Sequence, residues 1–316
     1  MNNIIYTILI GALTGLLLGP IVIPILKILK AGQNVRDDGP RSHLKKTGTP
    51  TMGGILIILS LITATLFMNK SFNGIYAVTM ITTLGCGLIG LLDDGIKIIK
   101  KRSLGLRAYQ KLIGQFIFAL ILSYYAYLNI GSRLFIPFTK NTIDLGLLYI
   151  PFITLIIVFT INSVNLTDGL DGLASTVTII IFSFFTFVCY AHNRIELTIF
   201  SAAIVGSCLG FLRYNSHKAQ IFMGDTGSLA LGGAVAALFV LTGLTLYLPI
   251  IGIIYVVEGA SVLLQIGYFK LTGKRIFKMA PLHHHFELSG WHESKVVAVF
   301  GIISAIACLI GFLTLL

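Results

Sequence analysis

Apolar stretches of roughly 17 to 25 residues recur along this chain, and the polar segments between them are too short to bury a core of their own. As a helix, each stretch crosses a hydrocarbon layer about 30 Å thick. The pattern therefore predicts an all-α, polytopic membrane protein with about ten transmembrane helices. They fall at about residues 4–29, 51–68, 74–92, 108–129, 147–163, 171–190, 196–212, 227–243, 248–269 and 295–315. Charged residues make up 11% of the chain and apolar ones 56%, where soluble domains carry about a quarter charged. Residues 1–316 read as one integral domain. The longest segment on the face opposite most of the charges, Asn129 to Gly146, contains RLFIPF and is expected to form a small hairpin.

An even number of spans puts both termini on one face. Of the 23 Lys and Arg residues, only Lys70, Arg133, Lys140 and Arg194 fall on that face. By the positive-inside rule the amino and carboxyl termini lie outside and the basic loops face the cytoplasm. No basic residue precedes Lys27 in the first span, so that span lacks the n-region of a cleaved signal peptide. The net charge of +11 is mainly a topology signal, with attraction to anionic membrane lipid and anionic substrates as a second effect. It argues against a nucleic-acid partner. Cys86, Cys189, Cys208 and Cys308 all lie in apolar spans without metal-ligand spacing, and read as packing residues.

Nearly all acids and histidines sit in six polar segments that this topology gathers on the basic face: RDDGPRSHLKKTGTPTMGG, LLDDGIKIIKKRSLGL, NLTDGLDG, RYNSHKAQIFMGDTGS, KLTGKRIF and MAPLHHHFELSGWHES. Asp93 and Asp94 are placed at the end of the third span, where the helix dipole disfavours a carboxylate. A helix stop is the plain reading. Adjacent helical side chains diverge by about 100°, so one carboxylate is expected to act as general base and the other to orient, rather than both holding one metal. In NLTDGLDG, Asp168 and Asp171 share a face if the chain has begun to coil there, and capping of the next helix accounts for one of them. Asp225 precedes a span whose amino end offers free N–H groups that favour phosphate. An Asp there repels phosphate unless a divalent cation bridges the two, which makes Asp225 the first choice as Mg²⁺ ligand.

His283, His284 and His285 fall in the loop before the last span. Three consecutive residues in an irregular loop chelate a tetrahedral zinc poorly and no Cys joins them, so they are assigned to hydrogen bonding with phosphates and sugar. Glu258, inside the ninth span, needs a polar cavity or partner, and Gln265, seven residues on, shares its face. With Lys46, Lys97, Lys101 and Lys111, this inventory suits Mg²⁺-assisted phosphoryl transfer. A transmembrane body implies that one substrate is a lipid.

PTMGG (Pro50 to Gly54), LLDDGIK (Leu91 to Lys97), NLTDGLDGLA (Asn165 to Ala174), FMGDTGSL (Phe222 to Leu229) and MAPLHHHFE (Met279 to Glu287) resemble the bacterial phospho-N-acetylmuramoyl-pentapeptide transferases nearly end to end. These are a branch of the polyprenyl-phosphate N-acetylhexosamine 1-phosphate transferases. The resemblance implies transfer of phospho-MurNAc-pentapeptide from UDP-MurNAc-pentapeptide to undecaprenyl phosphate, giving lipid I and UMP with Mg²⁺ as cofactor. It implies Asp225 as the metal ligand, Asp93 as the proposed base and Asp94 near metal or diphosphate. A uridine pocket maps to Lys46, Gly169, Leu170, Asp171 and Phe222. Asn165, Asp168, His284 and His285 fall toward nucleotide or sugar and Lys111 toward a phosphate, while His283 is either catalytic or structural. A sister transferase using UDP-GlcNAc, a transporter of anionic cargo and a structural membrane scaffold, which leaves the co-located acids unexplained, are the competing readings. Pro24, Gly232 and Gly233 permit bending or close packing, and a homodimer is left open.

Overall fold

A computed structural model of the chain describes residues 1–29, 46, 48–69, 74–100, 104–139 and 141–315. Lys70, Lys101 and Lys140 lie outside the described residues, as does most of the first polar segment. Twelve α-helices carry the fold among those described: α1 Asn2–Ile28, α2 Gly54–Met68, α3 Gly74–Ile99, α4 Ala108–Asn129, α5 Tyr149–Thr167, α6 Leu173–Ala191, α7 Ile195–Asn215, α8 Gly224–Leu241, α9 Leu248–Ile251, α10 Ile253–Thr272, α11 Leu282–Glu287 and α12 Glu293–Leu315. Nine are long and apolar enough to cross a membrane. The protein is an all-α, multi-pass membrane protein. The second expected span is the exception, because Pro50 to Gly53 stay out of the helix and leave α2 with 15 residues. The expected hairpin is present, β1 Arg133–Phe135 pairing antiparallel with β2 Thr142–Asp144.

Helices form because a chain in lipid satisfies its backbone groups only internally. The stops are local: Gly172 precedes α6 with φ 78° and Gly273 follows α10 with φ 69°, left-handed conformations that Gly adopts without strain. Leu9, Leu13 and Leu17 on α1, Ile113, Ile117 and Tyr124 on α4, and Ile302, Ile306 and Leu309 on α12 remain exposed. That apolar belt is a surface for lipid.

The bundle is built around α8, which is buried along nearly its whole length. Its sequence, GDTGSLALGGAVAALFVL, is rich in small residues that let neighbouring backbones approach closely. A Cβ at Gly232 would lie 2.7 Å from the Ile161 Cα of α5, and one at Gly233 would lie 2.9 Å from the Thr82 carbonyl of α3. At the site end, Gly54 of α2 meets Gly227, and a Cβ at Gly90 of α3 would overlap the Asp225 carbonyl. Gly90→Ala is therefore expected to push α3 off the start of α8. The variant should lose about 1–3 kcal/mol, read as a lower thermal midpoint in detergent, and most of its activity.

The amino ends of α2, α4, α6, α8 and α12 meet the carboxyl ends of α3, α5 and α7 at one end of this bundle. Gly53 N–H donates to the Phe222 carbonyl at 2.8 Å, Gly172 N–H to Asn215 Oδ1 at 3.1 Å and Asp171 N–H to Glu293 Oε1 at 2.6 Å. Alternation of the spans produces this convergence, as their spacing predicts.

Candidate active site

α3 does not stop at its paired aspartates. It continues to Ile99, which puts Lys97 one turn beyond Asp93 and Asp94 on the same face. Lys97 Nζ lies 2.6 Å from Asp93 Oδ2, 3.2 Å from Asp94 Oδ1 and 3.1 Å from Asp225 Oδ2. Lys111, in the first turn of α4, reaches Asp93 Oδ1 at 3.1 Å and Asp225 Oδ2 at 2.5 Å. The two aspartates of α3 are fully buried, and each has a backbone donor of its own. Asp93 Oδ1 accepts Leu106 N–H at 2.7 Å. Asp94 Oδ2 accepts both the N–H and the hydroxyl of Thr226, at 2.9 and 2.8 Å.

The Asp94 contacts explain how a carboxylate is held near the carboxyl end of α3. Met223, the residue before α8, makes no side-chain cap, and Asp94 satisfies an orphan N–H of α8 from a different helix. Asp225 occupies the first turn of α8, with Oδ1 accepting from Asn165 Nδ2 at 3.0 Å. Asp93, Asp94 and Asp225 each present a carboxylate oxygen within 4.8 Å of the others. The separation of the two α3 aspartates is thus smaller than their angular spacing suggests, and one ion can reach both. A set of donors made only of oxygen suits a hard cation such as Mg²⁺. The two lysines that share Asp225 Oδ2 compensate the acids.

A second charged group lies at the start of α6. Lys46 Nζ contacts Asp171 Oδ1 at 2.7 Å and Glu293 Oε1 at 2.7 Å. His217 Nδ1 stands 3.6 Å from Asp171 and 3.4 Å from Glu293. Asp171 Oδ2 accepts Ala219 N–H at 3.0 Å. Asp168 and Asp171 do not share a helical face, since α5 ends at Thr167 and Asp168 to Gly172 form a turn. Nor does either cap α6, whose N-cap is Gly172 with no side-chain bond. Gly169 and Leu170 lie in this turn, Leu170 buried. Asp168 is half-buried and its pKa is pushed well above the usual carboxylate range, first by burial and then by the Asp225, Asp94 and Asp171 charges. Phe222 is partly buried at the same end, its N–H donating to the Pro50 carbonyl at 2.8 Å.

The histidines are not in an irregular loop. They form α11, a six-residue helix, because Leu282 to Glu287 coil immediately after Pro281. His283 is fully buried, and Glu258 of α10 receives both its N–H at 3.0 Å and its ring Nδ1 at 2.7 Å. His284 Nδ1 lies 2.8 Å from Glu287. His285 Nδ1 accepts Lys278 N–H at 3.1 Å. Gln265 accepts the N–H groups of Ile276 and Phe277 at 3.1 and 3.0 Å. Glu258 and Gln265 therefore bind one segment from one face of α10, as their spacing predicts.

A sequence model of glycosyl transferase family 4 matches residues 76–243, more than half of the chain. The first signature of the phospho-N-acetylmuramoyl-pentapeptide-transferases matches residues 46–58. The phospho-N-acetylmuramoyl-pentapeptide-transferase of Thermoanaerobacter sp. (strain X514) is 54% identical over 100% of this chain and 99% of that protein. Those of Alkaliphilus oremlandii and Clostridium novyi are 55% and 50% identical, covering 99% and 100% of this chain and 98% of each relative. The chain belongs to the phospho-N-acetylmuramoyl-pentapeptide-transferase family. It is a phosphosugar transferase, held in the membrane by its bundle.

Within this transferase the structure gives Lys97, one of the basic groups already expected, a definite place and adds two residues, Glu293 and His217, to the expected set. Lys97 stands in LLDDGIK, and its i+3 and i+4 spacing to the aspartates was visible once the helix is known to continue. Glu293 and His217 lie in quoted polar segments but carry no motif spacing. Their partners, Asp171 and Lys46, are 122 and 247 residues from Glu293 in sequence, and tertiary proximity is the only signal that joins them.

Proposed function

We propose that this end of the bundle faces the cytoplasm of a bacterial inner membrane and transfers phospho-MurNAc-pentapeptide from UDP-MurNAc-pentapeptide to undecaprenyl phosphate, producing lipid I and UMP. One observation carries the proposal: three carboxylates and two lysines from α3, α4 and α8 meet at the helix ends of a lipid-embedded body, in a chain of this family. An oxygen of the lipid phosphate attacks the sugar-linked phosphorus of the nucleotide sugar. A new P–O bond forms, the bond from that phosphorus to the bridging oxygen breaks, and the electron pair leaves on UMP. The second pKa of a phosphate monoester is about 6, so the attacking phosphate is already largely dianionic at neutral pH. Asp93 then serves mainly to orient, through its ties to Leu106 N–H and Lys111. Lys97 and Lys111 place positive charge beside the transferring group.

Asp225, with Asp93 and Asp94 beside it, would hold Mg²⁺, which when bound supplies charge neutralisation for the diphosphate. The turn from Asp168 to Asp171, with Lys46 and Phe222, would receive the nucleoside. An aromatic side chain left partly open at this end suits stacking on a base, worth about 1–3 kcal/mol. Phe222→Ala is expected to raise the apparent KM for the nucleotide sugar about tenfold and leave that for the lipid phosphate alone. An unchanged KM for the nucleotide sugar removes the stacking role.

The deciding experiment is UMP release by purified protein in detergent. Release that needs Mg²⁺ and both substrates, with sequential kinetics, is the expected result. Release from the nucleotide sugar without the lipid phosphate, or equal turnover of UDP-GlcNAc, overturns the assignment.

A further inference from the structure

The ammonium of Lys97 meets the carboxylate oxygens of the aspartate cluster that no fixed donor holds. Asp93 Oδ1 is tied to Leu106 N–H, Asp94 Oδ2 to the N–H and hydroxyl of Thr226, and Asp225 Oδ1 to Asn165 Nδ2. Three oxygens are left: Asp93 Oδ2, Asp94 Oδ1 and Asp225 Oδ2. Lys97 Nζ lies 2.6, 3.2 and 3.1 Å from them in that order. Asp93 Oδ2 is buried and makes no hydrogen bond among the described residues, so charge rather than direction joins it to Lys97.

Those same oxygens are the ones a divalent cation would use. Mg²⁺ binds oxygen at about 2.0–2.1 Å in a nearly octahedral set, so a cation shared by the three aspartates and the Lys97 ammonium exclude each other. Like charge adds repulsion to the lack of room. The lysine can move, because its side chain is 29% exposed and sits on a flexible four-carbon stem. We infer that Lys97 is an exchangeable counter-ion: it neutralises the three aspartates until a divalent cation takes its place, and the freed ammonium then turns outward to meet the diphosphate of the nucleotide sugar. The inference rests on the Mg²⁺ role assigned above to these aspartates. It gives a reason for a lysine one turn beyond the pair, since buried carboxylates without a counter-ion are destabilising and a lysine, unlike a backbone donor, can leave.

Electron paramagnetic resonance of Mn²⁺ added to the purified protein in detergent, with neither substrate present, reads the exchange directly. Lys97→Met removes the competitor and should lower the Kd for Mn²⁺ about tenfold. Lys97→Arg keeps the charge and should bind Mn²⁺ no more tightly than the parent. Lys100→Met removes an exposed charge three residues on and should change the Kd by less than about twofold. Asp225→Ala should abolish the signal.

The parent protein gives a second reading, which decides the matter even where Lys97→Met fails to fold. Held against three carboxylates, Lys97 should undergo reductive methylation more slowly than Lys100, and Mg²⁺ should bring its rate up toward that of Lys100. A Lys97 rate that Mg²⁺ leaves unchanged overturns the inference. So does a Kd equal in the parent and Lys97→Met, or one lowered equally in Lys97→Met and Lys100→Met. In those cases Mn²⁺ binding that Asp225→Ala abolishes leaves the metal role standing. Mn²⁺ binding that survives Asp225→Ala removes that role, and the inference with it.

Discussion

Asp225→Ala is expected to abolish phosphosugar transfer while leaving the bundle folded. The side chain is the most exposed of the three clustered aspartates, at 18%, and it is where contacts from three helices converge. Lys97, Lys111 and Asn165 all reach it. Loss of one charge-stabilising group from a transferase site costs about 10²–10³-fold in rate, and loss of a metal ligand with it places this variant at the upper end. The start of α8 does not depend on the Asp225 carboxylate. It is capped by Asp94 through Thr226 and packed against Gly54 and Gly90. The thermal midpoint should therefore hold while UMP release disappears. Retention of more than about a tenth of parental turnover removes Asp225 from the proposed metal role. Asp225→Asn keeps the Asn165 contact and separates lost charge from lost packing.

The motif segments showed Asp225 and its neighbours because phosphate-handling residues occur there in short, glycine-punctuated runs. The spans were legible for a simpler reason, since hydrophobic length is a one-dimensional property. Two local assignments failed on the same physical point, the behaviour of the chain at a helix end. The third span runs on through Asp93 and Asp94 because Thr226, Leu106 and the lysines compensate carboxylates that the dipole disfavours. Asp168 and Asp171 leave the helix because the glycines at 169 and 172 turn the chain. For the aspartates of α3, the compensating Thr226 and Lys111 are distant in sequence. Glu258 needed a partner on hydropathy alone, yet nothing in its own span named His283. Glu293 was hidden more completely, as its partners lie far off in sequence.

Lys46→Met is expected to have the second largest effect, on stability as well as on binding. Lys46 is the shared cation of Asp171 and Glu293, both nearly buried. Its removal leaves two carboxylates facing each other where α6 and α12 begin, with His217 as the basic group near both among the described residues. Removing one partner of a buried ion pair costs about 3–5 kcal/mol, and partial exposure of the lysine puts this case at about 3 kcal/mol. Adding Glu293→Gln to Lys46→Met removes the repulsion. The double variant should be more stable than the single one, a coupling that thermal midpoints of the four proteins in a double-mutant cycle measure directly. Additive losses would mean that Lys46 and Glu293 act independently. The KM for the nucleotide sugar should stay high in both variants that lack the lysine, because Glu293→Gln restores packing and not the cation.

The small-residue face of α8 has a consequence for inhibition. Where two helices touch backbone to backbone, as Gly54 does with Gly227 and Gly90 with the Asp225 carbonyl, every side chain larger than hydrogen is an obstruction. A compound bound at the adjoining site would be backed by this buried strip, which single codon changes can scarcely reshape. Escape from it would have to arise at the rim, among residues such as Phe222 and Lys46 whose side chains have room to change.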